Sequence, residues 1–147
     1  MSSVDSMSRH AHWALRLAIV SVFLYHGLSK LFDLGGFAAM AGVRPTTALL
    51  VAQAEIAGAV LVFLGGFMRS WMTLVGALVI MPVMVGAILM VHWGQWHFMA
   101  TETHPMGGMQ FQVTLLLVLI YLALKGNAIQ PGVDPDDRAR EEETAHA

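Results

Sequence analysis

The chain contains no cysteine, so it cannot itself carry a thiol relay, a disulfide or an iron–sulfur cluster. Any thiol chemistry around it has to come from a partner. Charge is equally scarce: Asp, Glu, Lys and Arg make up 12% of 147 residues, with a net charge of -2. There is no basic stripe, which argues against nucleic acid as a partner. Nor is there room for a separate soluble domain, because the longest polar interruption, His92–Met106, is too short to fold alone.

What is present is apolar. Hydrophobic residues make up 56% of the chain and the mean hydropathy is +0.64, both on the membrane side of the globular norm. Four apolar stretches fill most of the sequence: Trp13–Phe32, Thr47–Phe67, Ser70–Val91 and Gly107–Leu124. Each comes close to the ~20 helical residues that a ~30 Å bilayer core requires. The expected fold is therefore an all-α membrane protein, a four-transmembrane-helix antiparallel bundle. Residues 1–12 form a polar N-terminal segment, 13–127 the membrane domain, and 128–147 a charged tail expected to be disordered, with an acidic docking tail as the alternative. The first apolar run is of span length and no A-x-A cleavage site follows it, so it reads as a retained helix.

Positive charge sets the expected orientation. Arg9, Arg16, Arg69, Lys125, Arg138 and Arg140 fall on the side shared by the termini and the second loop, against Lys30 and Arg44 on the other. The positive-inside rule then places both termini in the cytoplasm of a multi-pass protein of the cytoplasmic (inner) membrane. Pro45 and Thr46 signal the start of the second helix. Gly65-Gly66 and Arg69 make a tight turn into the third, where Pro82 should introduce a kink. A faint echo pairs helix one and Glu55 of helix two with His92 of helix three and Gln110 of helix four, as two related hairpins would.

The exceptions to apolarity carry the functional argument, since a charge at membrane depth costs a few kcal/mol or more unless paired or wetted. On helix one, Arg16, Phe23, His26, Gly27 and Lys30 fall within a ~100° arc at ~100° per residue. On helix two, Glu55 shares a stripe with Ala52, Gly58, Ala59, Val62 and Gly66, the small residues that let membrane helices approach. Gln110 and Gln112 open helix four on the same outer side, where His92 closes helix three. Two readings compete. In one, Lys30–Glu55 or His26–Glu55 is a satisfied pair that fixes helix register, with Arg16 snorkelling to the cytoplasmic surface. In the other, His26, Lys30, Glu55 and Gln110 line a partly wet pocket that binds a polar head group or relays a proton.

The third loop holds His92, His97 and His104 with Met99, Met106 and Met109. Imidazole with thioether suits copper, but the spacing fits no tight ligand motif. Trp93, Trp96 and Phe98 are what an interfacial aromatic belt contains.

These residues resemble a known family. Arg16 with Tyr25-His26-Gly27-Leu28-Ser29-Lys30-Leu31 is similar to the first-helix signature of the DoxX family of small four-helix membrane proteins. Ala54-Glu55-Ile56-Ala57-Gly58, ending in Leu64-Gly65-Gly66-Phe67-Met68-Arg69, looks like its second-helix segment. Gly107-Gly108-Met109-Gln110-Phe111 falls where the family has a glycine pair and then Glu or Gln before an aromatic residue. The resemblance spans about residues 13–127. It implies a bundle in the cytoplasmic membrane and redox-linked work: relatives are subunits of thiosulfate:quinone oxidoreductases and terminal oxidase assemblies, or membrane partners of oxidative-stress and methylamine-oxidation systems. Gln110 departs from the second carboxylate of many relatives, and Asn127-Ala128-Ile129-Gln130 lacks their Ser-Leu-Asp-like ending.

On this basis the leading expectation is an auxiliary subunit that engages quinone in the outer leaflet. His26 and Lys30 would donate hydrogen bonds, Glu55 would exchange protons and Gln110 would orient the head group. No flavin or haem-attachment motif is present, so electrons would come from a redox protein partner. The alternatives are a non-catalytic membrane scaffold and a metal or small-solute carrier. The small-residue faces leave open closure within one chain or between copies in a homo-oligomer.

Overall fold

The structure, a computed structural model, describes residues 10–126. The start of the polar N-terminal segment, the charged tail and the Asn127–Gln130 ending lie outside the described residues. So do Arg9, Arg138 and Arg140.

Five α-helices and no strand occur among the described residues: α1 (His12–Phe32), α2 (Leu34–Ala41), α3 (Pro45–Gly65), α4 (Ser70–Ala87) and α5 (Gln110–Lys125). A π-helical turn, Ile88–His92, prolongs α4. α1, α3 and α4 with its π-turn are each long and apolar enough to cross a membrane, whereas α5 is an apolar helix of 16 residues. The four apolar runs in the sequence thus correspond to the four long helices.

The helix boundaries follow local chemistry. Pro45 occupies the first turn of α3, where its missing N–H costs nothing. The short α2 falls between the apolar runs Trp13–Phe32 and Thr47–Phe67, which do not announce it. It forms because the Asp33 carboxylate accepts from the Gly36 amide as an N-cap, and Gly42 ends it at φ 63°. Pro82 sits inside α4 on its exposed face and leaves the helix unbroken.

The core is a seam through four helices. Ile19 and Phe23 of α1, Ala59 and Val62 of α3, Ala77, Ile80 and Met84 of α4, and Leu115, Leu119 and Leu122 of α5 form one buried cluster. α3 and α4 approach backbone to backbone. A Cβ on Gly76 would stand 2.7 Å from the Gly58 carbonyl and 2.9 Å from the Val62 amide, so only glycine permits this crossing. The opposite faces carry large apolar side chains into the surroundings, among them Leu17, Leu50, Leu78, Leu89, Leu117 and Leu124. A surface of that kind requires lipid as its solvent. The protein is therefore a helical, multi-pass membrane protein.

Candidate functional site

Ionisable and amide side chains gather at three places in the bundle. The first is at the end where α1 begins. Arg16 is fully buried. Its Nε donates to His12 Nδ1 (3.1 Å) within α1. Its Nη1 donates to the Val62 carbonyl (2.6 Å) on α3 and to Thr73 Oγ1 (2.8 Å) on α4. Its Nη2 donates to the Gly126 carbonyl (3.1 Å) at the end of α5. One guanidinium therefore joins the start of α1, the end of α3, the start of α4 and the end of α5, which fixes an antiparallel order. Trp13 closes the region from outside: its ring centroid is 4.4 Å from Phe67, 5.9 Å from Phe63 and 5.9 Å from Arg16 Cζ. The expectation that Arg16 snorkels to the surface is overturned. The fork geometry of guanidinium reaches acceptors on several helices at once, and backbone carbonyls near the ends of α3 and α5 supply them.

The second place is the opposite end of α1 and α3. Lys30 Nζ lies 2.7 Å from Glu55 Oε2 and 2.9 Å from Oε1, so the ammonium meets both carboxylate oxygens. The pair is mostly buried, with 15% of the Lys30 side chain and 6% of the Glu55 side chain exposed. The Phe37 ring of α2 lies 5.0 Å from the ammonium, giving the short helix a role in covering the pair. Glu55 occupies the small-residue stripe expected of it: Ala48, Ala52, Gly58, Ala59 and Val62 are buried beside it. Gly65 is the buried glycine at the far end, and Gly66 is only half-buried. At Gly27 a Cβ would lie 3.1 Å from the Ala52 carbonyl and 3.3 Å from Glu55 Cβ, which shows how closely α1 approaches α3 beside the carboxylate.

His26 does not join this pair. It is exposed on the outer surface of α1, its ring 5.5 Å from the Tyr25 ring. The buried stripe of α1 runs through Arg16, Ile19, Phe23 and Gly27, and at ~100° per residue His26 falls at the edge of the arc. Gln110 is also separate. With Phe98, Phe111 and Thr114 it lines an open groove to which neither α1 nor α3 contributes.

The third place joins α4 to α5. His92 is buried. Its Nδ1 lies 2.9 Å from the Gly107 carbonyl and its Nε2 2.9 Å from the Gln112 amide nitrogen. With the amide donating to Nε2, the Nδ1–H donates to the Gly107 carbonyl. The glutamine that reaches inward is thus Gln112 and not Gln110. The polar residues expected to share one pocket form instead two pairs on two helix couples, Lys30–Glu55 and His92–Gln112. The three loop imidazoles do not converge either: His104 Nε2 meets the Trp93 carbonyl at 2.8 Å, His97 is exposed, and no group of three His, Cys, Asp or Glu side chains able to hold a metal occurs among the described residues. Sequence reasoning missed Thr73, whose hydroxyl among apolar neighbours was the available signal, and His12, four residues before Arg16 on the same helix face.

Helices of this length, this lipid-facing surface and these buried polar pairs define a small integral membrane protein. The sequence model of the DoxX family matches residues 11–93, more than half of the chain, and the protein belongs to that family. The match takes in Arg16 with His12, Val62 and Thr73, the Lys30–Glu55 pair and α4 with its π-turn, but not Gly126. The following loop and α5 lie beyond it. No curated protein and no solved structure matches the chain.

Proposed function

We propose that this protein is a quinone-linked auxiliary subunit of a redox system in the cytoplasmic membrane, crossing the bilayer four times with both termini in the cytoplasm. The orientation is supported by Arg69 and Lys125 at the end of the bundle that holds Arg16, against Lys30 and Arg44 at the other. The observation that carries the functional reading is the Lys30–Glu55 pair, lying between two spans one turn from an imidazole that faces lipid. A lipophilic carrier meets a membrane protein from its lipid side, so a hydrogen-bond donor for its head group has to face lipid, and His26 does. A carboxylate close behind can take up a proton and return it, and while it is neutral the ammonium beside it is left to offset negative charge on a reduced head group.

Of the four residues expected to serve a quinone, His26, Lys30 and Glu55 stand near one another on α1 and α3, and these would hold the head group. Gln110 does not fit that role. A quinone would supply two-electron, two-proton chemistry, with electrons delivered by a partner protein, since this sequence shows no flavin motif, haem-attachment motif or cysteine.

The test is the quinone content of protein purified gently in mild detergent, wild type beside Glu55→Gln and His26→Ala. Stoichiometric quinone in the wild type and loss in both variants is the expected result. Equal retention in all three overturns the reading.

One observation favours a scaffold instead: both Glu55 oxygens are already satisfied by Lys30, as a register-fixing pair would be. The exchanged variant Lys30→Glu/Glu55→Lys separates the two. A scaffold should regain folding and partner recovery with the swap, whereas a quinone site should regain folding alone.

A further inference from the structure

Within residues 93–109, between α4 and α5, the first limb, 93–99, is built largely inside out, whereas Thr101, Glu102 and Thr103 are exposed. Gln95 is buried; its Nε2 donates to the carbonyls of His97 (3.0 Å) and Met99 (2.6 Å), and its Oε1 accepts from the Thr101 hydroxyl (2.7 Å). The backbone amides of Gly108, Met109 and Gln110, donors that a helix start leaves open, go to the carbonyls of His97 (3.0 Å), Gln95 (2.9 Å) and Trp96 (2.9 Å). Gly107 has φ +76°, and a Cβ on Gly108 would collide with the Gln95 and His97 backbone. Glycine is needed at both for this close return of the chain. The large apolar side chains turn outward: Trp93 is 63% exposed, Trp96 57%, Phe98 66% and Met99 65%. A loop built for water shows the opposite arrangement.

A second observation is independent of the first. At ~1.5 Å per residue, α5 spans about 24 Å, about 6 Å less than a ~30 Å hydrocarbon core. Its lower end is fixed, because the Gly126 carbonyl accepts from Arg16 and Gly126 abuts Ser70, the first residue of α4. The shortfall therefore lies at the upper end, where the loop stands.

We propose that residues 93–109 form a cap seated in the outer leaflet, with Trp93, Trp96, Phe98 and Met99 against lipid at the head-group boundary and Thr101, Glu102 and Thr103 on its water side, completing the span that α5 leaves short. The placement rests on the four-span orientation above. Lipid, and not a protein partner, is the occupant for two reasons. The patch continues the lipid-facing surface of the π-turn and α5 through Leu89, Met90 and Phe111. The return of the chain also satisfies the amides of Gly107, Gly108, Met109 and Gln110 internally, which lowers the cost of seating this side of the loop in lipid.

The test uses Trp13→Phe/Trp71→Phe, which leaves Trp93 and Trp96 as the only tryptophans. The protein is reconstituted in phosphatidylcholine vesicles brominated near the head group or near the chain end, with iodide as the aqueous quencher. Strong quenching by bromine near the head group, weaker quenching from the chain end, and iodide quenching several-fold below that of free tryptophan are expected. Full iodide quenching with no lipid quenching would overturn the proposal and leave the patch to a protein partner. Should the double variant fold poorly, Met99→Cys with a nitroxide label gives the same answer in this cysteine-free chain: relaxation by oxygen should exceed that by a water-soluble nickel chelate, and the reverse overturns it. Thr103→Cys with an impermeant maleimide tests the orientation separately. Labelling from outside is expected; labelling only from the cytoplasm would overturn the outer-leaflet placement, and the quenching would still decide whether the cap is embedded.

Discussion

At one end of the bundle Arg16 donates to His12 and to groups on α3, α4 and the end of α5, and no part of it is exposed. At the other end Lys30 and Glu55 bind each other across α1 and α3, with Phe37 of α2 over the ammonium, and both keep some exposure. Both ends place charge where apolar sequence dominates, yet they solve the desolvation problem differently. The first spreads one cation over acceptors on several helices, so losing it disconnects the bundle. The second pairs two charges locally, so the pair can be altered with the rest of the fold in place. Depth and charge alone therefore do not mark a functional site. What separates the two ends is how many elements depend on the group and whether a membrane-soluble molecule can approach it.

The comparison is broken most severely by Arg16→Met, which strips the donors from Val62, Thr73 and Gly126 together. It should cost on the order of 3–5 kcal/mol, read as a large fall in the unfolding midpoint in detergent. Arg16→Lys should recover only a minor part, since a point ammonium cannot reproduce the fork. A packing change between the two ends sets the scale: Gly76→Val, driven against the Gly58 and Val62 backbone, should cost about 1–3 kcal/mol without altering quinone content per folded chain. Next in size is Glu55→Gln, which leaves the Lys30 ammonium without its charge partner, at about 1–3 kcal/mol. The double variant Lys30→Met/Glu55→Met should lie closer to wild type than Glu55→Gln does, because removing both partners avoids an orphaned charge. Thr73→Val deletes one of the Arg16 acceptors and should cost about 1 kcal/mol. The smallest effect on stability belongs to His26→Ala, within about 0.5 kcal/mol for an exposed residue. Its quinone content should nevertheless fall, which distinguishes a lipid-facing ligand from a structural imidazole.

Much of the fold was legible because lipid imposes a coarse constraint: a continuous apolar run of span length has few alternatives to a helix. The α3 stripe through Ala52, Glu55 and Gly58 was readable for the same kind of reason, since small residues at helical spacing mark a packing face. The Arg16 clasp was not legible. Two of its acceptors are backbone carbonyls, Val62 and Gly126, and a carbonyl looks the same at every position in a sequence. The short α2 was not legible, since it is too short to make a span-length apolar run and falls between two of them. His26 was drawn into the site by a ~100° arc, while the buried stripe between α1 and α3 is narrower than that. Gln112 was overlooked for Gln110 because a two-residue offset moves a side chain ~200° around a helix. Such an offset can be settled only once the facing residue, here His92, is known.

The central claim is that the Lys30–Glu55 end serves ligand chemistry while the Arg16 end serves architecture. It is tested most directly by measuring quinone content and unfolding midpoint together on the Lys30→Met/Glu55→Met double variant. The account predicts a midpoint near that of the wild type with quinone lost. Wild-type quinone content in that folded variant would contradict it, and would assign both ends of the bundle to structure.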